Sequence, residues 1–184
     1  MRISGGDARG IRLRVPPGAR PASERVRQAV FSSLAAHVVD ASVLDLYCGS
    51  GAYGLEALSR GARHATFVDR DPAALQAARE NAKAAGLEQH ATFVRSEALG
   101  YLLKRARRRD PVDVAFVDPP YADADATRTV LDGLGKAVRR GGRVVIESRW
   151  GPGEPPEPRG YVLEADRRYG DTRVLVYSRE EPLR

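Results

Sequence analysis

The stretch Val43-Leu44-Asp45-Leu46-Tyr47-Cys48-Gly49-Ser50-Gly51-Ala52-Tyr53-Gly54 decides the fold, because an apolar run leads directly into a glycine-rich turn. Residues 43–47 predict a buried strand, and residues 52–60 predict a helix that stops at Gly61. A strand, a short turn and a helix open an α/β unit, and ligands of open α/β sheets bind at such turns. The glycines let a ligand approach the backbone closely.

Strand and helix patterns alternate after this turn. Further strands are predicted at 65–69, 91–95, 112–117 and 143–147. Further helices are predicted from Pro72, with Asp71 as cap and Gly86 as terminator, at 97–107 with Ser96 as cap, and at 124–139, ended by Gly141-Gly142. Such alternation specifies a parallel, doubly wound sheet. After the proline-rich segment 151–160, residues 161–167 and 173–178 predict an antiparallel edge hairpin. The predicted fold class is therefore α/β, with a mostly parallel seven-stranded sheet.

An arginine-rich arm precedes this pattern. Residues 2–15 alternate weakly around glycines, which predicts a short hairpin, and prolines then break the chain. Ser23 is expected to cap a helix from about Glu24 to His37. The chain thus divides into a basic arm, 1–22, and a main domain, 23–184. Residues 1–27 hold seven arginines against two acidic residues, a net charge of +5.

Composition bounds the class of protein. With 42% hydrophobic and 29% charged residues, this 184-residue chain is typical of a globular protein that folds alone. No stretch approaches the roughly 20 apolar residues needed to span a bilayer, and no signal peptide follows Met1, so a cytoplasmic location without a membrane partner is expected. The single Cys48 excludes an internal disulfide, and three scattered histidines show no metal-ligand spacing, so neither redox nor metal chemistry is expected.

The excess of positive charge indicates a nucleic-acid partner. The formal net charge is +6, and all but three of the basic residues are arginines, whose planar guanidinium groups suit phosphates and base edges. The alternative is a merely solvated basic face or a compositional bias towards arginine. A second basic cluster at 104–109 leads into the start of the fourth strand, so it is expected at the sheet edge opposite the glycine-rich turn.

The glycine-rich turn has two interpretations. Residues 49–54 match the G-x-G-x-x-G dinucleotide fingerprint, with Asp69 as the ribose-binding acid. The carboxylate of Asp45 would repel a pyrophosphate, and it favours a cationic amino-acid group, such as that of S-adenosylmethionine. Glu97 has two equally plausible roles. It can accept from the adenine amino group, or it can be an ordinary carboxylate in the first turn of a helix. The residues expected to contact this cofactor lie in the turn and at the ends of the following strands: Asp45, Tyr47, Gly49, Ser50, Gly51, Asp69, Arg70, Ser96, Glu97 and Asp118.

A rigid acidic and aromatic tetrapeptide, Asp118-Pro119-Pro120-Tyr121, directly follows the fourth strand. Each proline fixes its own φ and makes the preceding residue extended, so the Asp118 carboxylate and the Pro119 carbonyl project from a stiff backbone. An exocyclic amino group can donate to both acceptors while its base stacks on Tyr121. Alone, the tetrapeptide is equally typical of a turn. Its position at the same sheet edge as the glycine-rich turn favours chemistry on a planar amine.

This order of parts resembles the class I S-adenosylmethionine-dependent methyltransferases, and the tetrapeptide resembles the [Asn/Asp/Ser]-Pro-Pro-[Tyr/Phe/Trp] of their amino-group-methylating branch. Over essentially the whole chain, the sequence also resembles the bacterial 16S ribosomal RNA guanine-N2 methyltransferase family of the RsmD type. The segments that carry this likeness are 2–6, 9–10, 20–28 with Phe31, and 55–60. Cys48 stands where some members have alanine, and Asp69 replaces a glutamate; these departures keep size or charge.

The resemblance implies a Rossmann-like sheet that ends in an antiparallel hairpin. It also implies transfer of one methyl group from S-adenosylmethionine to N2 of a guanine in 16S ribosomal RNA, within a small-subunit assembly particle. Asp118, Pro119, Pro120 and Tyr121 are then the expected catalytic residues. The expected RNA contacts are Arg9, Arg12, Arg20, Arg25 and Arg27. The alternatives are an adenine-N6 methyltransferase acting on DNA or RNA, a NAD-dependent Rossmann oxidoreductase, and a non-catalytic RNA-binding assembly factor.

Overall fold

The computed structural model describes residues 1–16, 23–119, 124–135 and 137–180. The strands are β1 (Ser42–Leu46), β2 (His64–Asp69), β3 (Ala91–Arg95), β4 (Val112–Val117), β5 (Val138–Arg149), β6 (Tyr161–Tyr169) and β7 (Thr172–Arg179). The helices are α1 (Glu24–Val38), α2 (Ala52–Ser59), α3 (Pro72–Ala84), α4 (Ala98–Arg108) and α5 (Ala124–Leu134), with one 3₁₀ turn at Glu88–His90.

The seven strands form one sheet in the order β3-β2-β1-β4-β5-β7-β6. The first five are parallel, whereas β7 is antiparallel to both β5 and β6. The predicted fold class is therefore confirmed, including the C-terminal hairpin. Leu46 pairs with both Val68 and Val117, so the carboxyl ends of β1, β2 and β4 meet at one edge of the sheet. We call this edge the carboxyl edge.

Helices cover both faces of the sheet. On one face, α1, α2 and α3 bury side chains such as Phe31, Leu55 and Leu75 against the strands. On the other face, α4 and α5 bury Leu102 and Leu131. Each of these side chains contributes about 1.5–3 kcal/mol by leaving water, so the two cores hold the carboxyl edge in a fixed shape.

The boundary between α5 and β5 differs from the prediction. The helix expected to reach residue 139 ends at Leu134, and β5 already begins at Val138. Val138 pairs with Val112, and the pairing then shifts so that Arg143 lies beside Val114. Residues 139–142 therefore bulge out of the strand, and Gly141-Gly142 belongs to this bulge rather than to a helix end.

Neither of the two predicted serine caps makes a capping hydrogen bond, although Ser23 is at the predicted position. Ser23 occupies the N-cap position of α1, but its side chain makes no capping hydrogen bond. Ser96 precedes the N-cap position of α4, which is Glu97, and its hydroxyl donates to the Glu97 carbonyl at 3.0 Å. The predicted cap of α3 is confirmed, because the Asp71 carboxylate accepts the Ala73 N–H at 2.9 Å.

The described part of the arm is a short hairpin that packs on the core. Arg2 and Arg12 form an antiparallel bridge, while Ile3 and Leu13 are buried in the same cluster as α1 and α2. Gly6 has a φ of 77°, and a Cβ there would lie 1.7 Å from the Ser59 carbonyl oxygen. The hairpin tip is therefore pressed against the C-terminal end of α2.

Candidate active site

The glycine-rich turn lies between β1 and α2 at the carboxyl edge. Gly49 and Gly51 have φ values of 51° and 77°, a left-handed conformation that glycine adopts without strain. Gly54 packs so closely that a Cβ would lie 2.3 Å from the Phe67 ring. Nothing lies within 4 Å of a Cβ built on Gly49, so open space remains above the turn.

Asp45 lies beneath this turn and is 3% exposed. Its Oδ2 accepts the Gly54 N–H at 2.9 Å, which ties β1 to the first turn of α2. Burial raises the pKa of this carboxyl well above its usual range, the Gly54 hydrogen bond opposes that shift, and Asp118 and Asp69 add to it. A cation above the turn would offset the cost of keeping this buried carboxylate ionised.

Asp69, at the end of β2, connects two loops of the site. Its Oδ2 accepts the Gly49 N–H at 3.0 Å, and its Oδ1 accepts the Asp71 N–H at 2.9 Å. Its backbone carbonyl accepts the Ser96 N–H at 3.0 Å, so the loops after β1, β2 and β3 are joined through one residue. This arrangement places a carboxylate next to the open side of the glycine-rich turn.

The other predicted cofactor residues surround this turn. Arg70 and Glu97 are exposed and approach each other to 3.7 Å. Tyr47 is half-buried and has a φ of 57°, and burial raises the pKa of its hydroxyl. Ser50 is buried, and its carbonyl accepts the Asn81 side-chain N–H at 2.9 Å. Asn81 also bonds both backbone groups of Arg14, which fastens the arm to the turn.

Asp118 and Pro119 follow β4 at the same edge. Asp118 is partly exposed and Pro119 is buried. The Asp118 carboxylate raises the pKa of both Asp45 and Tyr53, behind the larger effect of burial in each case. The structure thus brings Asp118 together with the glycine-rich turn. Pro120 and Tyr121 lie outside the described residues.

Tyr53 and Glu147 form a contact that the sequence analysis missed. The Tyr53 hydroxyl donates to Oε2 of Glu147 at 2.6 Å, and its ring stacks on Phe116 with centroids 4.9 Å apart. Burial raises the pKa of Tyr53 well above its usual range, so the hydroxyl keeps its proton. The position of Glu147 near the end of the fifth strand was the signal that pointed to this edge. The pair connects α2 to β5, and it lies near Asp118, whose charge adds to the raised pKa of Tyr53.

The prediction that Arg27 contacts RNA is wrong, because its side chain is completely buried. Its Nε lies 3.5 Å from Oε2 of Glu56, and its Nη2 donates to the Arg2 carbonyl at 2.6 Å. Glu56, also completely buried, accepts from the backbone and hydroxyl of Ser4 and from Arg60. Glu56 is not among the site residues predicted from the sequence; a charge on an otherwise apolar helix face was the available signal.

The remaining arm arginines lie in different places. Arg9, Arg12 and Arg25 are exposed, and Arg20 lies outside the described residues. Arg25 is in the first turn of α1 at the carboxyl edge, because α1 ends just before β1 begins at the other edge. Arg9 is at the hairpin tip, near the C-terminal end of α2 and away from the glycine-rich turn.

Cys48 lies buried in the glycine-rich turn. Burial raises the pKa of the Cys48 thiol well above its usual range, so the thiol stays protonated and acts as a small packing residue. Among the residues that the structure describes, no three histidine, cysteine or acidic side chains are grouped as metal ligands would be. In the same ranges, every helix is too short or too polar to cross a membrane.

Comparisons with known proteins agree on one family. The family described as Conserved hypothetical protein 95 matches residues 1–178. Ribosomal RNA small subunit methyltransferase D of Escherichia coli (strain K12) is 37% identical over 184 residues, which is 98% of this chain and 90% of that protein.

Two solved structures are similar over nearly the whole chain. The Escherichia coli protein yhhF, a candidate methyltransferase, superposes with a TM-score of 0.86 at 35% identity, covering 98% of each chain. The Thermus thermophilus hypothetical protein TTHA0928 superposes with a TM-score of 0.81 at 34% identity, covering 96% of this chain and 98% of that one. The matching family, the similar fold and the relative aligned over 98% of this chain agree with the RsmD-type family that the sequence motifs resemble. This chain therefore belongs to the Conserved hypothetical protein 95 family of RsmD-type methyltransferases.

Proposed function

We propose that this protein transfers a methyl group from S-adenosylmethionine to the exocyclic N2 of a guanine in 16S ribosomal RNA. The observation that carries this proposal is the position of Asp118-Pro119 at the same sheet edge as the glycine-rich turn above the buried Asp45. The Escherichia coli relative is named as a small-subunit ribosomal RNA methyltransferase, which supports this substrate class. Guanine N2 as the target rests on the Asp-Pro-Pro-Tyr tetrapeptide together with the family resemblance.

The residues around the turn fit S-adenosylmethionine better than a dinucleotide. A buried carboxylate at Asp45 repels a pyrophosphate but favours an ammonium group nearby. The open space at Gly49 admits a ligand against the backbone, and the Asp69 carboxylate next to it suits ribose hydroxyls. Tyr47, Arg70, Ser96 and Glu97 would complete the site around the adenosine. When bound, the cofactor supplies a methyl group on a positively charged sulfur.

The proposed task of Asp118 and Pro119 is to make a weak nucleophile reactive. The N2 lone pair of guanine is delocalised into the ring, so the amino nitrogen attacks poorly. By accepting both N–H groups, the Asp118 carboxylate and the Pro119 carbonyl favour a pyramidal nitrogen whose lone pair is free for in-line displacement. Tyr121 would stack on the flipped base, and Pro120 would stiffen the loop. No covalent enzyme intermediate is required.

Exposed arginines of the arm and of α1 are proposed to bind the RNA. Arg12 and Arg25 are exposed, and Arg25 lies at the carboxyl edge. With Arg9 and Arg20, they would contact phosphates or flanking bases of 16S ribosomal RNA in a small-subunit assembly particle. With this substrate, we also propose a cytoplasmic location for the protein. Arg27 is not part of the proposal, because its guanidinium is buried against Glu56.

The test is methyl incorporation from labelled cofactor into 30S particles, free 16S ribosomal RNA and duplex DNA, followed by mapping of the modified nucleotide. We expect N2-methylguanine in ribosomal RNA. N6-methyladenine as the product would reject guanine as the target. Calorimetric binding of NAD more tightly than S-adenosylmethionine would reject the methyltransferase assignment of the site, and cofactor binding without any methyl transfer would favour an assembly factor.

Asp45 provides a separate test of the cofactor site. Asp45→Asn keeps an acceptor for the Gly54 N–H but removes the buried charge, so it should weaken S-adenosylmethionine binding about tenfold. Because the folded-state pKa of Asp45 is raised, wild-type stability falls as pH rises above the ordinary value of 3.8. At neutral pH the variant should therefore melt about 2–4 °C higher. Melting curves from pH 4 to 8 and calorimetry check both effects; a less stable variant would contradict this account of Asp45.

A further inference from the structure

The turn of the C-terminal hairpin lies at the carboxyl edge, close to the proposed active site. β5 and β7 are antiparallel, with Ser148 opposite Arg173. β4 and β5 are parallel, with Val117 beside Ile146, so two residues further on β4 reaches Pro119 and β5 reaches Ser148. Arg173 therefore lies two strand spacings, about 10 Å, from the line of β4.

Trp150 follows β5 at this edge and is 38% exposed. Its ring is flanked by two guanidinium groups, with Cζ of Arg168 at 4.9 Å and Cζ of Arg173 at 5.4 Å from the centroid. Cation–π contacts hold both guanidinium groups against the ring, and in Arg168 the two Nη groups can still meet another partner. The Trp150 backbone N–H donates to the Asp171 carbonyl at 2.7 Å, which fixes the residue to the hairpin turn.

The two arginines are restrained to different degrees. Arg173 has a side chain only 12% exposed, and its Nε and Nη2 donate to the two carboxylate oxygens of Asp166 at 2.9 and 2.6 Å. Its charge is therefore already paired. Arg168 is exposed, and its Nε donates to the Gly170 carbonyl at 2.9 Å. Within the described ranges, Arg168 makes no ion pair, so its charge is available to a partner.

Further arginines extend this positive surface to the opposite face of the sheet. Arg149 lies opposite Thr172 and Arg167 lies opposite Val174, so both point away from the face that carries Arg173. Both are exposed, and neither has an ion pair in the described part of the chain. The hairpin end (166–173) and the adjoining segment 149–160 thus carry five arginines against four acids, Glu154, Glu157, Asp166 and Asp171.

We propose that Arg168, held on the Trp150 ring, binds a phosphate of the RNA substrate on the β7 side of the target base, while the paired Arg173 holds the ring in place. This inference rests on the proposed function, since the ligand is the same RNA. A guanidinium group held against an aromatic ring presents a planar pair of N–H donors that matches phosphate oxygens. Because Trp150 already restrains Arg168, binding costs less side-chain entropy than it would for a free arginine.

The surface is tested with Arg168→Gln and Trp150→Leu, against Arg79→Gln as the matched control. Arg79 is also an exposed arginine on an aromatic ring, with its Cζ 4.8 Å from the Phe93 centroid, but it lies on α3 near the far end of the sheet. We expect Arg168→Gln to weaken binding of free 16S ribosomal RNA about fivefold and to lower the slope of log Kd against log salt by about 1. Trp150→Leu should weaken binding less, and Arg79→Gln should change neither quantity.

The outcomes separate this proposal from the proposed function. If the wild-type protein methylates ribosomal RNA but Arg168→Gln keeps the wild-type Kd and salt slope, the phosphate-binding surface is rejected and the function stands. If no ribosomal RNA is methylated, the function is rejected, whereas a loss of RNA affinity in Arg168→Gln would still support the surface. A defect seen with 30S particles and absent with free RNA would assign the surface to a ribosomal protein and overturn the RNA contact. S-adenosylmethionine affinity should be unchanged in all three variants.

Discussion

Replacing Asp118 with alanine is expected to lower kcat for methyl transfer about 100- to 1,000-fold, the usual effect of removing one preorganised hydrogen-bonding group from an active site. The reason is that the N2 amino group would lose one of its two acceptors and return to conjugation with the ring. Binding of S-adenosylmethionine should be largely retained, because the glycine-rich turn is held by Asp45 and Asp69. Single-turnover methyl transfer and calorimetry measure the two effects separately.

Asp118→Asn distinguishes two tasks for the carboxylate. Asparagine keeps one acceptor oxygen but cannot take up a proton at neutral pH. If Asp118 acts only as an acceptor, this variant should lose about tenfold in kcat, clearly less than alanine. A loss as large as that of alanine would mean that the carboxylate accepts a proton. Asp132→Asn, at an exposed position on α5, is the control and should be fully active. Full activity of Asp118→Ala would overturn the proposed mechanism.

Replacing Glu56 with glutamine is expected to destabilise the fold by about 3–5 kcal/mol, because it leaves the Arg27 guanidinium buried without its carboxylate. The hairpin arm should be affected too, since Glu56 accepts both the backbone N–H and the hydroxyl of Ser4 at 2.8 and 2.7 Å. Urea unfolding monitored by circular dichroism measures the change. Because the expected loss is a large fraction of the stability of a typical domain, the variant should be studied at low temperature.

A double-mutant cycle with Arg27→Met tests whether the ion pair itself is responsible. The double variant should be less destabilised than the sum of the two single variants by about 1–3 kcal/mol, since each single change leaves a buried charge behind. Additive effects would mean that the two residues act independently. Arg14→Gln breaks an exposed ion pair with Glu80 and should leave the free energy of unfolding nearly unchanged.

The buried ion pair also changes how the arm should be studied. Ile3, Ser4 and Leu13 are buried, and the Arg2 carbonyl accepts from Arg27. Deleting residues 1–20 would remove these groups and expose the core, so loss of RNA binding in such a truncation would not identify an RNA contact. Single substitutions of exposed arginines are the informative changes.

Most secondary structure could be predicted from local patterns. The strand at 112–117 and the cap and first residue of α3 are as predicted, because apolar runs, an aspartate cap and a proline at the first helical position act within a few residues. The end of α5 could not be predicted in the same way. It depends on Val138 pairing with Val112, and that contact forms only when β4 and β5 meet in the sheet.

The candidate site shows the same division. Because parallel strands place their carboxyl ends at one edge, the order of motifs along the chain was enough to bring Asp45, Asp69 and Asp118 together. The Tyr53–Glu147 hydrogen bond joins residues 94 positions apart, and the Trp150 surface joins β5 to a hairpin turn. Neither follows from a local pattern, because the first depends on the packing of α2 near β5 and the second on the register of β5 with β7.

By itself, the sequence determined the parallel sheet, the glycine-rich turn and the acidic residues at its carboxyl edge, since each follows from short-range periodicity and backbone preference. Only the tertiary structure decided which arginines are free to meet a partner. Arg27 and Arg25 are both cations in the first turns of α1, yet Arg27 shares a helix face with Phe31 and Leu34 and is turned into the core. There it contacts Glu56, 29 residues away, and a buried charge is tolerated only where folding brings it an opposite charge.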